Sequence, residues 1–128
     1  MTHVRRIAAT VATVALAAAV LAVVATAHTT ANKKLIGVVG KNDAYKITLT
    51  DANGKLVKTL KAGTYTVVIH DDSAIHNYEL DGPHGKSWTF TSVPFKGTKT
   101  VTLKLVAGKY KAYCLPHESA MFQHFTVK

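Results

Sequence analysis

Beyond residue 27 no helical period holds for three turns, and the chain instead breaks into short β-branched runs separated by turn signals. That pattern confines the fold to the all-β class. The runs are Leu35 to Val39, Tyr45 to Thr50, Lys55 to Leu60, Thr64 to His70, Ile75 to Leu80, Ser87 to Phe90, Thr98 to Val106, Lys109 to Leu115 and Gln123 to Val127. Between them lie Gly40-Lys41-Asn42-Asp43, Asp51-Ala52-Asn53-Gly54 and Ala62-Gly63. The Asn53-Gly54 pair tolerates the positive φ of a tight turn, so a hairpin is expected there with Lys55 to Leu60 as its return. About seven to eight strands at this spacing indicate a Greek-key antiparallel β-sandwich. Its expected core includes Trp88, Phe90, Val101, Leu103, Leu105 and Phe125, most of these aromatics being packing residues.

The beginning of the chain is of another kind. Arg5 and Arg6 precede an uncharged run from Ile7 to Ala27, which ends in the small-x-small sequence Ala25-Thr26-Ala27. This is the layout of an export signal, and cleavage after Ala27 leaves about 100 residues, enough for one compact domain. The rival is an uncleaved anchor, since the run is roughly long enough to span a bilayer, although its alanines and threonines make it weakly hydrophobic. The expected organisation is therefore an export signal over 1–27, a polar tether over 28–34 and one domain over 35–128. Location outside the cytoplasm follows: extracellular, cell-surface or periplasmic.

The formal net charge is +9, and setting aside Arg5 and Arg6 leaves fourteen basic against seven acidic residues. Such a balance suits partners with an acidic docking surface, or an anionic membrane surface. Lys99, Lys104, Lys109 and Lys111 alternate along expected strands, which describes a solvated sheet face and not a nucleic-acid interface. Cys114 is the single cysteine. In an oxidising compartment a lone cysteine is a dimer link, a reactive thiol or a metal ligand, and its surroundings must decide.

Those surroundings read Tyr113-Cys114-Leu115-Pro116-His117-Glu118-Ser119-Ala120-Met121. Cys, His and Met thus fall at spacing C-x2-H-x3-M in one loop between two expected strands. About forty residues upstream, Ile75-His76-Asn77-Tyr78 offers a second histidine at the start of another. Two imidazoles, a thiolate and a weak thioether are the donors of a blue-copper electron-transfer site: imidazole suits Cu(II), the sulfur donors suit Cu(I), and the mixture serves both states. Each residue has a bland alternative, a buried cysteine, a core methionine or a surface histidine. The joint pattern outweighs them for these four. For His28, His70, His84 and His124 the bland reading stands, with His124 the nearest fifth candidate because of its place beside Met121.

On these residues, His76-Asn77 and Tyr113 to His117 with Met121, the region from Tyr45 to Lys128 resembles the cupredoxins, the plastocyanin-like and azurin-like blue copper proteins. Ile75-His76-Asn77 with Leu80-Asp81-Gly82-Pro83 is similar to a small plastocyanin-like group of bacterial exported proteins. The resemblance implies one copper ion, with His76, Cys114 and His117 as equatorial ligands and Met121 as the axial one. It also implies that Asn77 ties the ligand strand to the cysteine loop by hydrogen bonds. Two departures stand out: plant-type plastocyanins keep four residues between the loop His and Met, here there are three, and Gln123 stands where many relatives carry Gly.

The leading expectation is outer-sphere electron transfer between redox proteins. Leu115, Pro116, Ala120 and Pro83 are expected as an apolar rim around His117 through which partners dock. No His-x-His pair of the kind that builds multicopper centres occurs, and four ligands leave no open position for an enzyme. The alternatives are a copper carrier or scavenger and a metal-free interaction module on the same fold. A Cys114/His117 thiol hydrolase lacks any oxyanion-hole or orienting motif.

Overall fold

The computed structural model describes residues 33–128, so the export segment, its cleavage point and His28 lie outside the described residues. Nine strands form: β1 (Lys33–Val39), β2 (Ile47–Asp51), β3 (Thr59–Leu60), β4 (Gly63–Asp71), β5 (Glu79–Asp81), β6 (Ser87–Thr89), β7 (Gly97–Leu105), β8 (Gly108–Tyr113) and β9 (Phe122–Val127). They build two sheets, one in the order β2-β1-β4-β7 and the other in the order β3-β9-β8-β5-β6. The expected sandwich is therefore present. Lys33 and Lys34, expected in the tether, already belong to β1.

Alternation explains which side chains fill the space between the sheets. In β4 the inward set is Tyr65, Val67 and Ile69, with Asp71 continuing the same face. Leu35 and Val39 from β1, Ile47 and Leu49 from β2, and Leu103 and Leu105 from β7 complete that side. Leu80, Tyr110, Ala112, Phe125 and Val127 face them from the second sheet. Of the expected core, Phe90, Leu103, Leu105 and Phe125 are buried, while Trp88 and Val101 pack only partly buried at its margin. Tyr110 clamps the corner between β7 and β8: its hydroxyl donates to the Val106 carbonyl at 3.0 Å and accepts the Val106 N–H at 3.1 Å.

Two strand pairs, β1 with β4 and β3 with β9, are parallel, whereas an antiparallel arrangement throughout was expected. The physical reason lies at the Asp51–Gly54 turn. The turn itself forms, with Gly54 at φ 80° and Asp51 Oδ1 accepting the N–H groups of Asn53 and Lys55. The return, however, pairs with β2 only over its first residues, through a bridge between Thr50 and Leu56 and the bonds from Asp51 N–H to the Lys55 carbonyl and from Val57 N–H to the Leu49 carbonyl. Val57 then turns inward and is buried, and the chain crosses to the other sheet as β3 beside β9.

The site lies where these sheets end. Strand β8 delivers Cys114 immediately after its last residue, and β9 departs immediately after Met121. His76 lies in the loop between β4 and β5, not in a strand as expected, because β5 begins only at Glu79.

Candidate metal centre

The cysteine loop closes on itself through backbone bonds. Cys114 N–H donates to the Met121 carbonyl at 3.1 Å, His117 N–H to the Cys114 carbonyl at 3.1 Å, and Met121 N–H to the His117 carbonyl at 2.8 Å. Pro116 sits in the 3-10 turn Leu115–His117, where its missing N–H costs nothing and its fixed φ favours the turn. Three short connections thus set Cys114, His117 and Met121 at fixed spacing on one compact loop.

The second loop is bound to the first and to both sheets. Asn77 Oδ1 accepts the Leu115 N–H at 2.8 Å, as the resemblance implied. Tyr78 extends through the core, where its hydroxyl donates to the Thr48 carbonyl of β2 at 3.0 Å. Gly37 makes room for it: a Cβ there would lie 2.8 Å from the Tyr78 ring. Ser73 Oγ donates to Asp43 Oδ1 at 2.7 Å, joining the His76 loop to the loop after β1.

Between these loops three donors converge. His76 Nδ1 and His117 Nδ1 are 3.0 Å apart, and Cys114 Sγ lies 3.7 Å from the first and 3.6 Å from the second. A point equidistant from the three lies about 2.0 Å from each, the length of a metal–imidazole bond. The donors are thus spaced for one small ion. His76 and Cys114 are fully buried, and His117 is half-buried, so one imidazole reaches the surface. Met121, which closes the loop that carries Cys114 and His117, is 1 % exposed. Two imidazoles, a thiol and a thioether fit copper better than a purely hard or purely soft ion.

Burial pushes the Cys114 thiol up from its ordinary value, and the charges of Asp71 and Glu79 push the same way against the N–H groups of Asn77 and His117. Binding a metal as thiolate therefore releases a proton.

The other histidines do not join. His124 points outward from β9, because alternation from buried Met121 sends Phe122 and His124 to the solvent side, and it packs against Phe122. His70 faces Thr98 Oγ1 at 3.0 Å, and His84 sits exposed in a turn at φ 59°. In the expected rim, Leu115, Pro116 and Ala120 are exposed beside His117. Pro83 is not part of it. It packs where a Cβ on Gly108 would meet it at 2.6 Å, and Gly108 begins the strand that ends at the site, so Pro83 belongs to the opposite end.

One neighbour of the site was not expected. The Tyr45 ring stands edge-on to both imidazoles, 5.0 Å from His76 and 4.7 Å from His117 between centroids. The loop that brings it there carries three left-handed residues within four positions, Gly40, Asn42 and Asp43 being at φ 66°, 57° and 54°. Gly40 presses on the His76 loop, since a Cβ there would meet the Ser73 side chain at 2.4 Å and the His76 ring at 2.8 Å. The Gly-Lys-Asn-Asp signal marked a turn in the sequence, but nothing in it pointed to where the turn leads.

No family model matches the chain, and no curated protein matches it. Solved structures do. A histidine-to-methionine variant of rusticyanin superposes with a TM-score of 0.53 at 18% identity, over 74% of this chain and 76% of that one. Reduced rusticyanin gives 0.52 at 18% over 74% and 78%, and rusticyanin from Thiobacillus ferrooxidans gives 0.50 at 19% over 74% and 76%. With two sheets in this order and a Cys-His-His cluster at their end, the chain has the cupredoxin fold.

Proposed function

We propose that the protein is a type 1, or blue, copper protein that carries single electrons between redox partners outside the cytoplasm, with Met121 as the weak axial donor. The observation that carries this reading is the convergence of His76 Nδ1, His117 Nδ1 and Cys114 Sγ within 3.7 Å of one another, on loops that the fold has already tied together. Bound copper supplies a one-electron couple. The chain's own contribution is to hold an imidazole–imidazole–thiolate triangle still, so that little rearranges between the two oxidation states. The buried donors exclude water from the centre, while half-buried His117 gives the electron a short route to the surface.

Exposed Leu115, at 58 %, together with Pro116 and Ala120 supports this edge as the place where a partner docks. The basic balance of the chain favours partners with an acidic surface, and membrane association would arise only through an uncleaved signal or surface charge. Export is supported by the Arg5-Arg6 and Ile7 to Ala27 pattern. That rusticyanin has been solved in a reduced form supports redox work on this fold. No enzymatic activity is proposed.

The test is addition of Cu(II) to the reduced apo-protein, with visible spectroscopy and voltammetry. One equivalent is expected to give intense blue absorption and a reversible couple with the metal retained, and Cys114→Ala is expected to lose the colour while keeping the sandwich. Colour that survives in that variant would remove the thiolate from the site, and metal lost on each cycle would favour a copper carrier.

A further inference from the structure

Glu79 opens β5 with only 5 % exposure, and neutral donors occupy both its oxygens. Asn77 Nδ2 donates to Oε1 at 2.7 Å, and Thr89 Oγ1 donates to Oε2 at 2.7 Å from the neighbouring strand β6. With its nitrogen engaged there, the Asn77 amide must turn its oxygen toward Leu115, where it accepts the N–H at 2.8 Å. A continuous relay therefore runs from Thr89 through Glu79 and Asn77 to the residue after Cys114. Glu79 also stands opposite Tyr113, the residue before Cys114, in the pairing of β5 with β8.

Among the described residues the one ion pair joins Lys111 to Glu118, so no cation pairs with Glu79. Hydrogen bonding alone does not call for an acid here. A glutamine could accept from Asn77 through its oxygen and donate to the Thr89 hydroxyl, which turns to accept. Burying a carboxylate is costlier than burying an amide. What the carboxylate adds is charge.

We propose that Glu79 is a positioning and potential-setting residue of the metal centre: it locks the Asn77 amide against the cysteine loop and, as a fixed buried negative charge, favours Cu(II) over Cu(I). The inference rests on the copper reading given above. When an electron arrives from an electrode or a one-electron mediator, Cu(II) becomes Cu(I) and the centre gains one negative charge. A nearby fixed anion opposes that gain, and in an interior of low dielectric it does so more strongly than in water.

The experiment is voltammetry of the copper-loaded protein and of Glu79→Gln at neutral pH, with Thr89→Val as a control that keeps the charge. Glu79→Gln is expected to stay blue and to shift the Cu(I):Cu(II) ratio at fixed solution potential about tenfold toward Cu(I), equivalent to 59 mV for one electron. Thr89→Val is expected to lower the unfolding midpoint while its potential stays nearer the parent than that of Glu79→Gln. A blue Glu79→Gln protein with the parent potential would reduce Glu79 to a strand-pairing residue and overturn the inference. A parent that forms no blue centre would instead overturn the copper reading and this inference with it. Should Glu79→Gln not fold, Glu79→Met combined with Thr89→Val removes the same charge with an apolar pair in its place. Its potential must then also lie above the parent for the inference to stand.

Discussion

The side-chain amide of Gln123 binds the backbone of Leu49 twice, its Oε1 accepting the Leu49 N–H at 2.8 Å and its Nε2 donating to the Leu49 carbonyl at 3.0 Å. The same nitrogen donates to the Val57 carbonyl at 2.9 Å. One side chain thus does for β2 and the departing return segment what a paired strand would do, at the point where the chain leaves the first sheet for the second. Gln123→Ala leaves an N–H and two carbonyls without these partners. The expected loss is about 2 to 4 kcal/mol of stability, read as a lower urea midpoint at unchanged slope. The copper site should still take up one equivalent, because Gln123 contacts none of its donors. An unchanged midpoint would mean that water replaces the amide at no cost.

Gln123 also marks where sequence reasoning stopped. Local signals were enough for most of the strands, for the Asn53-Gly54 turn and for the two loops that carry His76 and Cys114, since each depends on neighbours in the chain. The path of Lys55 to Leu60 was not legible, because the Thr59–Leu60 strand pairs with residues more than sixty positions away. Likewise His76, Cys114 and His117 could be named by residue type and spacing, whereas Tyr45 over the imidazoles depends on how the Gly40–Asp43 loop folds against Ser73. Nor could spacing reveal Glu79 behind Asn77. An acid at the start of a short strand most often faces water, and only the pairing with β6 and β8 makes it buried.

Asp71 links stability to pH. It is buried at the end of β4, Oδ1 accepts the Ser73 N–H at 3.2 Å, and Oδ2 has no protein partner. Burial holds its carboxyl above the ordinary carboxylate value, against the favourable influence of Thr91, Ser73 and His76. The folded state therefore binds this proton more tightly than the unfolded chain. The resulting stability is complete below the ordinary carboxylate value and is lost as pH rises through the raised one. Asp71→Asn keeps an oxygen for Ser73 and removes the buried charge. In the metal-free protein it should be more stable than the parent at neutral pH, and the difference should shrink toward pH 3. Denaturation at the two pH values measures this, and a gap that widens in acid would reverse the sign.

Tyr45 is 58 % exposed, so its removal should spare the fold and act on the imidazoles it touches. Edge-to-face pairs are worth about 0.5 to 1.5 kcal/mol each. Tyr45→Ala is accordingly expected to speed copper extraction by a chelator about five- to tenfold, while Tyr45→Phe, which keeps both ring contacts, stays near the parent rate. Equal rates for Ala and parent would leave Tyr45 as surface cover only.

Met121 allows binding to be separated from tuning. It is fully buried, and the loop bonds from Cys114 N–H to its carbonyl and from its own N–H to His117 fix its backbone whatever the side chain. If it is the weak axial donor, Met121→Leu removes a soft ligand and leaves an apolar side chain of similar volume, so the copper stays bound, the less charged Cu(I) is favoured and the reduction potential rises. Met121→Gln offers an amide oxygen, a harder donor that favours Cu(II), so its potential should fall below that of the Leu variant and below the parent. Voltammetry of the three proteins gives the order directly. A Leu variant at the parent potential would make Met121 core packing alone. Loss of copper in that variant would show that the triangle of His76, Cys114 and His117 does not hold the ion unaided.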